Sequence, residues 1–340
     1  GMGEVRSRGV RKSEIVDMDM AQSGVRRALE QAEKTSQVAV NQVHLVVSGG
    51  HLQGLVNRGS VPVIDSTGEI MREDMEHAME TARAVNLPPD RVTLHTICQR
   101  FYVDDQHAVI NPEGMEGSKL SVEMLILHGL RGRLRNTVKV VRNLALEVQD
   151  VAFGGLCSAL AVLSKEQKEQ GILLIDLGGG TTDFVVYARN AIAWAGSLAV
   201  GGDHVTNDIA HGLRISTGQA ERLKEENGSA LVNMSVRGQR VAVPSDVGVA
   251  DRFVPLSDLH TIIHMRVDEI FRMIKSVLIK QDLLHLLGAG VVLTGGGAFL
   301  SDADRLASRV YGVPCEVGHP RNISGLATAT EGPGFSTPLG

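Results

Sequence analysis

At 340 residues the chain is long enough for two domains, each burying its own core. Its 34 basic and 39 acidic side chains leave a net charge of -5, which argues against a general affinity for nucleic acid, and no window approaches the roughly 18 consecutive apolar residues of a membrane span. With 43% apolar residues, 3% aromatics, 38 glycines and three cysteines (Cys98, Cys157, Cys315) too far apart in sequence for CxxC chemistry, the composition favours a reduced, aliphatic α/β interior with glycine-rich connections.

Residues 18 to 36 place Val25, Ala28, Leu29 and Ala32 on one helical stripe, and "VHLVVSG" (43 to 49) reads as a buried strand ending at glycines. From 50 to 122, short alternating segments flank one helix, "REDMEHAMETARAV", the texture of a small α+β insertion. The basic stretch "LRGRLRNTVKVVRN" (130 to 143) suits an amphipathic helix with Val138, Val141 and Leu144 inward. Its cations form either a solvated face or a phosphate-binding surface. A strand, "VQDVAF", and a single helix, "GGLCSALAVLSKEQKEQ", follow.

"GILLIDLGGGTTDFVVYARN" then reads as two strands joined by a loop with more glycine than a tight hairpin turn needs. Backbone N–H groups reach a phosphate on all sides only where no Cβ intervenes, which Gly178, Gly179 and Gly180 satisfy, and Thr181 and Thr182 add hydroxyls. Asp176 and Asp183 repel phosphate by themselves, so their presence implies a divalent cation, Mg2+ held through waters. The spacing matches neither GxxxxGK[ST] nor GxGxxG, which disfavours a P-loop or a dinucleotide site.

After "VGGDHVTNDIAHGL" the chain is helical to about 226, where Glu221 and Lys224 share a face as a surface pair or a ribose contact. A second long helix runs from Ser257 to about Leu287; it carries His260 and His264 at i, i+4, without the third ligand a metal site needs. "VVLTGGGAFLSD" (291 to 302) is a strand and a glycine turn opening a helix whose N-terminus would face a base or an α-phosphate.

The order DLGGGTTD, VGGD, ExxK, TGGG resembles the actin, Hsp70 and sugar-kinase superfamily, and "DIAHGLRISTGQAERLKEENGSA" with "GVVLTGGGAFLSDADRLASRVYG" resembles the bacterial cell-division family FtsA. The resemblance implies an actin-like (ribonuclease H-like) two-domain α/β fold with a 1C-type α+β insertion. It divides the chain into 1A (1–49 and 123–170), 1C (50–122), 2A (171–203 and 288–340) and 2B (204–287). It implies ATP and Mg2+ as ligands. Asp176 would sit near Mg2+ and the attacking water, with Asp183 beside the metal, and Gly178 to Thr182 around the β- and γ-phosphates. Gly201, Gly202 and Asp203 would approach the nucleotide, Glu221 and Lys224 the ribose and adenine, and Gly295, Gly296 and Gly297 the α-phosphate and base.

Two departures from that superfamily carry expectations. Phe153 stands where its chaperones carry a catalytic carboxylate, so the chain is expected to be at most a slow ATPase. The family's first phosphate hairpin, D-x-G-[ST], is missing, leaving 1A incomplete and Mg-ATP binding weak; "VPVIDSTGEI" (61 to 70) offers only a DxxG within the insertion.

The resemblance further implies actin-like self-association and docking of the FtsZ C-terminal peptide on 2B around Arg266. It implies a cytoplasmic protein, peripheral on the inner face of the membrane at the division site through a C-terminal helix beyond this chain. A pilus-type actin-like scaffold and a sugar-kinase-type enzyme are the alternatives.

Overall fold

In the computed structural model, which describes residues 1–65, 67–106, 108–233, 236–243, 252–321 and 332–340, the chain divides into two units. The first comprises Gly1–Val47, His51–Phe153 and Tyr187–Gly196, the second Ser48–Gly50, Gly154–Val186 and Ser197–Gly340.

In the first unit, β1 (Val10–Arg11) and β2 (Glu14–Ile15) form a hairpin that turns through Lys12 and Ser13 at positive φ. Asp17 then accepts from the Met20 amide at 2.9 Å and caps α1 (Met18–Ser36), satisfying one of the donors a helix start leaves unpaired. The stripe of Val25, Ala28, Leu29 and Ala32 is half-buried. The chain continues through β3 (Gln42–Val47), β4 (Gln53–Pro62), α2 (Arg72–Arg83), β5 (Arg91–Val103), β6 (Ala108–Val109), β7 (Lys119–Leu130), α3 (Arg131–Arg142) and β8 (Glu147–Phe153).

Strands β4, β7, β5 and β6 make an antiparallel sheet in that order, and α2 packs Ala78 and Ala82 against Phe101, Leu120, Val122 and Met124. Gly59 permits the close approach, since a Cβ there would lie 2.4 Å from the Ala78 carbonyl. The DxxG segment follows β4, and its Ser66 lies outside the described residues. Strands β3 and β8 pair in parallel. In α3 the buried side chains are Leu134, Val140 and Val141, while Val138 and Leu144 are half-buried, because the helix ends at Arg142 and leaves Leu144 beyond its last turn.

The single helix expected at 154 to 170 is two. Ser164 adopts extended dihedrals, accepts from the Gln167 amide at 3.2 Å and donates its own amide to Gln167 Oε1 at 2.9 Å. This capping box ends α4 (Gly154–Val162) and starts α5 (Lys165–Gln170). Next come β9 (Ile172–Leu177), β10 (Thr182–Ala188), β11 (Ala191–Leu198) and α6 (Gly202–Leu213). The helical stretch to 226 breaks where Arg214 turns left-handed at φ 52° and Ser216 caps α7 (Thr217–Asn227).

Strands β12 (Arg240–Ala242) and β13 (Phe253–Pro255) pair before α8 (Leu256–Lys280), which stops short of Leu287 as Asp282 takes φ 53°. The chain then forms β14 (Val291–Thr294), α9 (Ala303–Tyr311), β15 (Cys315–Val317) and α10 (Ser336–Leu339). The five-stranded sheet has the order β11-β10-β9-β14-β15, with β9, β14 and β15 parallel. Every residue of β9 and β10 is buried, as expected of strands covered on both faces, and each large aliphatic side chain there contributes about 1.5–3 kcal/mol.

Candidate functional site

Parallel pairing of β9 with β14 sets Asp176 opposite Thr294, so both glycine loops leave neighbouring strands at their carboxyl ends. That is where open α/β sheets place their ligand crevices. The amide of Gly178 donates to the Thr181 carbonyl at 3.0 Å and closes the first loop, while the amides of Gly179 and Gly180 donate to no protein acceptor among the described residues. Gly202 and Asp203 donate to the carbonyls of Gly178 and Gly179 at 2.9 and 2.8 Å, which locks the start of α6 to that loop. Gly201 has no substitute: its Cβ would stand 2.4 Å from the Gly178 carbonyl oxygen and 2.6 Å from that of Gly179.

The second loop differs from expectation. Gly295, at φ 82°, opens a short 3-10 turn over Gly296–Phe299, and α9 begins only at Ala303 after Asp302 at φ 60°. What faces the crevice is therefore a glycine turn whose Gly296 and Gly297 amides have no protein acceptor among the described residues, and not the N-terminus of α9.

These loops wall a cavity of about 440 Å³, within the range of small-molecule sites. Gly178, Gly179, Gly202, Asp203, Gly296 and Gly297 line it on the loop side, and Glu221 and Lys224 line it from α7. The two α7 side chains are locked together. Lys224 Nζ lies 2.8 Å from Glu221 and donates to Thr206 Oγ1 at 2.9 Å, while Thr206 bonds Glu221. Leu177, Val205, Glu225, Gly228, Val267, Phe299, Leu300 and Ser301 complete the lining; sequence reasoning missed them, although Phe299 stands directly after the TGGGA run.

Of the predicted residues, Gly180, Thr181, Gly201 and Gly295 belong to the loops but do not line the cavity, and Thr182, Asp176 and Asp183 are not brought to it either. Thr182 is wholly buried in β10 and gives its hydroxyl to the Val200 carbonyl at 2.7 Å, so it ties two segments together and has no free donor for phosphate. Asp176 and Asp183 lie in a buried polar cluster. Asp176 Oδ2 accepts from Ser158 and from Thr337 at 2.7 Å; Asp183 Oδ2 accepts from Ser48 at 2.5 Å. Burial pushes both carboxyls up, Asp183 to about 7, with the Ser197 and Ser48 hydroxyls opposing and the Asp176 charge adding to the rise.

Asp183 Oδ1 is buried and has no hydrogen-bond partner among the described residues. An orphaned carboxylate oxygen beside a second carboxylate suits a hydrated cation. Among the described residues no group of three acidic, histidine or cysteine side chains could hold a bare metal. Mg2+, which keeps its waters and takes one or two carboxylates plus phosphate oxygens, fits that donor set.

Elsewhere, Phe153 is fully buried, with its amide donated to His95 Nε2 at 3.0 Å. His260 and His264 bond the carbonyls of Asn227 and Ala230 at 2.9 and 2.8 Å and hold the chain just past α7. Arg266 is already engaged: Asp208 of α6 takes Nε at 2.5 Å and Nη2 at 3.1 Å, and Glu269 takes Nη1 at 2.5 Å. These carboxylates hold its guanidinium pKa above the usual value.

Comparison with known proteins follows the same lines. The family model described as cell division protein FtsA matches residues 173–340, and that of the SHS2 domain inserted in FtsA matches 49–128. The chain is 32% identical over 340 residues to the cell division protein FtsA of Pseudomonas aeruginosa, a match covering all of this chain and 81% of that protein. It is 31% identical over 347 residues to the Escherichia coli K12 protein of the same name, covering all of this chain and 82% of that one. Among solved structures, a chain of the PilM-PilN type IV pilus biogenesis complex superposes with a TM-score of 0.64 at 15% identity, over 98% of this chain and 87% of its own, which is agreement of fold. The fold is actin-like.

Proposed function

The chain belongs to the FtsA family of cell division proteins, and on that premise we propose that it binds ATP with Mg2+, associates with copies of itself and links FtsZ to the membrane at the division site. One observation carries the nucleotide reading. Two glycine loops on paired parallel strands present four amides without protein acceptors among the described residues, at Gly179, Gly180, Gly296 and Gly297, and Gly179, Gly296 and Gly297 line, with Glu221 and Lys224, a cavity of about 440 Å³. Amides so disposed suit the oxygens of a polyphosphate, and a locked carboxylate–ammonium pair suits a ribose and its base.

The roles follow from position. Gly178 to Gly180 with Thr181 face the terminal phosphates, Gly201, Gly202 and Asp203 fix that loop, and Gly295 to Gly297 approach the α-phosphate and base. Asp176 and Asp183 would hold Mg2+ through its waters, and the metal would supply neutralisation of phosphate charge. With Phe153 at the base position, turnover is slow. We assign 1A, 1C, 2A and 2B to the boundaries expected from the sequence.

For FtsZ, the tail peptide docks on α8 near Arg266. Because Asp208 holds that guanidinium through two bonds, the peptide carboxylate exchanges with the more exposed Glu269, and the exposed Met265 offers an apolar contact. Among the described residues no helix is long and apolar enough to cross a membrane, and the link to the membrane is proposed as a peripheral one. The family membership leaves the kinase alternative without support.

The test is a titration of the 340-residue chain with Mg-ATP, followed by thermal unfolding and calorimetry, with an FtsZ tail peptide as the second ligand. A small ATP-dependent rise in Tm and saturable peptide binding are expected. No response to millimolar ATP refutes the nucleotide reading; indifference to the peptide favours an actin-like scaffold of another assembly.

A further inference from the structure

The last nine residues, 332–340, are stitched along the loops just described. The Pro333 carbonyl accepts from the Gly295 amide at 3.0 Å, and the buried Ser336 hydroxyl lies 2.6 Å from Thr294 Oγ1. Thr337 Oγ1 stands 2.7 Å from Asp176 Oδ2 and 2.9 Å from Ser158 Oγ of α4, so two hydroxyls 179 residues apart converge on one carboxylate oxygen.

The asymmetry is informative. Both donors go to Oδ2, while Oδ1 lies against the Gly295 turn, where an added Cβ would approach it to 2.3 Å. Held by two bonds on one oxygen, the carboxylate cannot rotate without breaking both, and Oδ1 stays directed to the side where the two glycine loops meet. Neither Thr337 nor Asp176 lines the cavity itself; Thr337 bears on the site through its bond to Asp176, whose Oδ1 lies against the Gly295 turn.

We propose that Thr337 and Ser158 are positioning residues for Asp176, and that through Thr337 the C-terminal segment 332–340 senses whether phosphate and Mg2+ occupy the site. This rests on the nucleotide reading above and adds a route from that site to the end of the chain. A ligand that pulls Oδ1 tightens or loosens the Oδ2 bonds, and α10 carries the change.

The test uses the 340-residue chain with Thr337→Val, which keeps the shape and removes the donor, Thr337→Ser, which keeps the donor, and Ser158→Ala. ATP affinity is measured with Mg2+ and with EDTA, together with hydrogen exchange at the amides of 333–340. In the wild type, Mg2+ tightens ATP binding and Mg-ATP slows exchange in that segment. Thr337→Val and Ser158→Ala each lose roughly ten-fold of the Mg-ATP affinity and leave metal-free ATP affinity unchanged, and Thr337→Ser restores the wild-type value.

The proposal is overturned if Thr337→Val matches the wild type, if Thr337→Val and Thr337→Ser weaken both nucleotide forms alike, or if Mg2+ gives the wild type no advantage. A wild type that binds ATP in neither condition refutes the nucleotide reading itself, which the wild-type control reports before any variant is compared.

Discussion

Asp176 and Thr294 are register partners on adjacent parallel strands, and that pairing brings the loop at 178–181 beside the turn at 295–299 although their matching ends lie 117 and 118 positions apart in the chain. The relationship makes the backbone of both loops, more than their side chains, the working surface.

Glycine substitutions should therefore divide by position. Gly201→Ala and Gly295→Ala put a Cβ within 2.4 Å of a carbonyl oxygen or 2.3 Å of Asp176 Oδ1, and each is expected to cost about 1–3 kcal/mol and to abolish nucleotide binding. Gly132→Ala, inside α3 with open space around its Cβ, should stabilise by about 0.5–1 kcal/mol. Urea unfolding of the three variants checks the sign of each.

Asp183 predicts a pH dependence. Its folded pKa of about 7 lies above its unfolded value of 3.8, so between those values the folded chain keeps a proton that the unfolded chain has released. Stability falls as pH rises through this window, by up to about 1.4 kcal/mol per pH unit, and the penalty is complete above pH 7. Asp183→Asn should gain on the wild type as pH rises from 4 to 8, with Asp176, raised in the same direction, leaving a residual slope. Denaturant midpoints of both proteins across that range, without nucleotide, would show parallel curves if the Asp183 carboxyl titrates normally.

Lys224→Met removes the cation shared by Glu221 and Thr206 while filling most of the same space. The Lys224 side chain is 16% exposed and its partner 40%, so the stability cost should stay near 1 kcal/mol, whereas ATP affinity should drop roughly ten-fold. Isothermal titration separates the two, and equal affinity would remove the pair from the proposed site.

Arg266→Ala should loosen α8 from α6 by about 1 kcal/mol, since its bond to Asp208 joins the two helices. Glu269→Ala should instead strengthen FtsZ-tail binding by freeing one arm of the guanidinium. Fluorescence anisotropy with a labelled tail peptide reads both; weaker binding by Glu269→Ala would place the peptide elsewhere.

Much of the molecule was legible along the chain. Glycines that must let two backbones meet, as at Gly201 and Gly295, announce themselves by residue type, and the order of the motifs fixed the family. Boundaries misread were local: Ser164 and Arg214 broke stretches whose apolar period ran on, because a capping box and a left-handed residue override periodicity. Thr182 looked like Thr181, yet strand alternation turned its hydroxyl to Val200.

By itself the sequence determined which backbone segments lack a Cβ, where the strands feeding them run, and that aspartates flank the loop, since these depend on residue type and short spacing. Only tertiary structure decided that Glu221 and Lys224 are locked by Thr206, that Arg266 is held by Asp208, and that Ser158 and Thr337 meet on Asp176. The physical reason is common to all three: a hydrogen bond acts over about 3 Å, and serine, threonine and aspartate carry no sign in sequence of the distant partner that packing will bring within that reach.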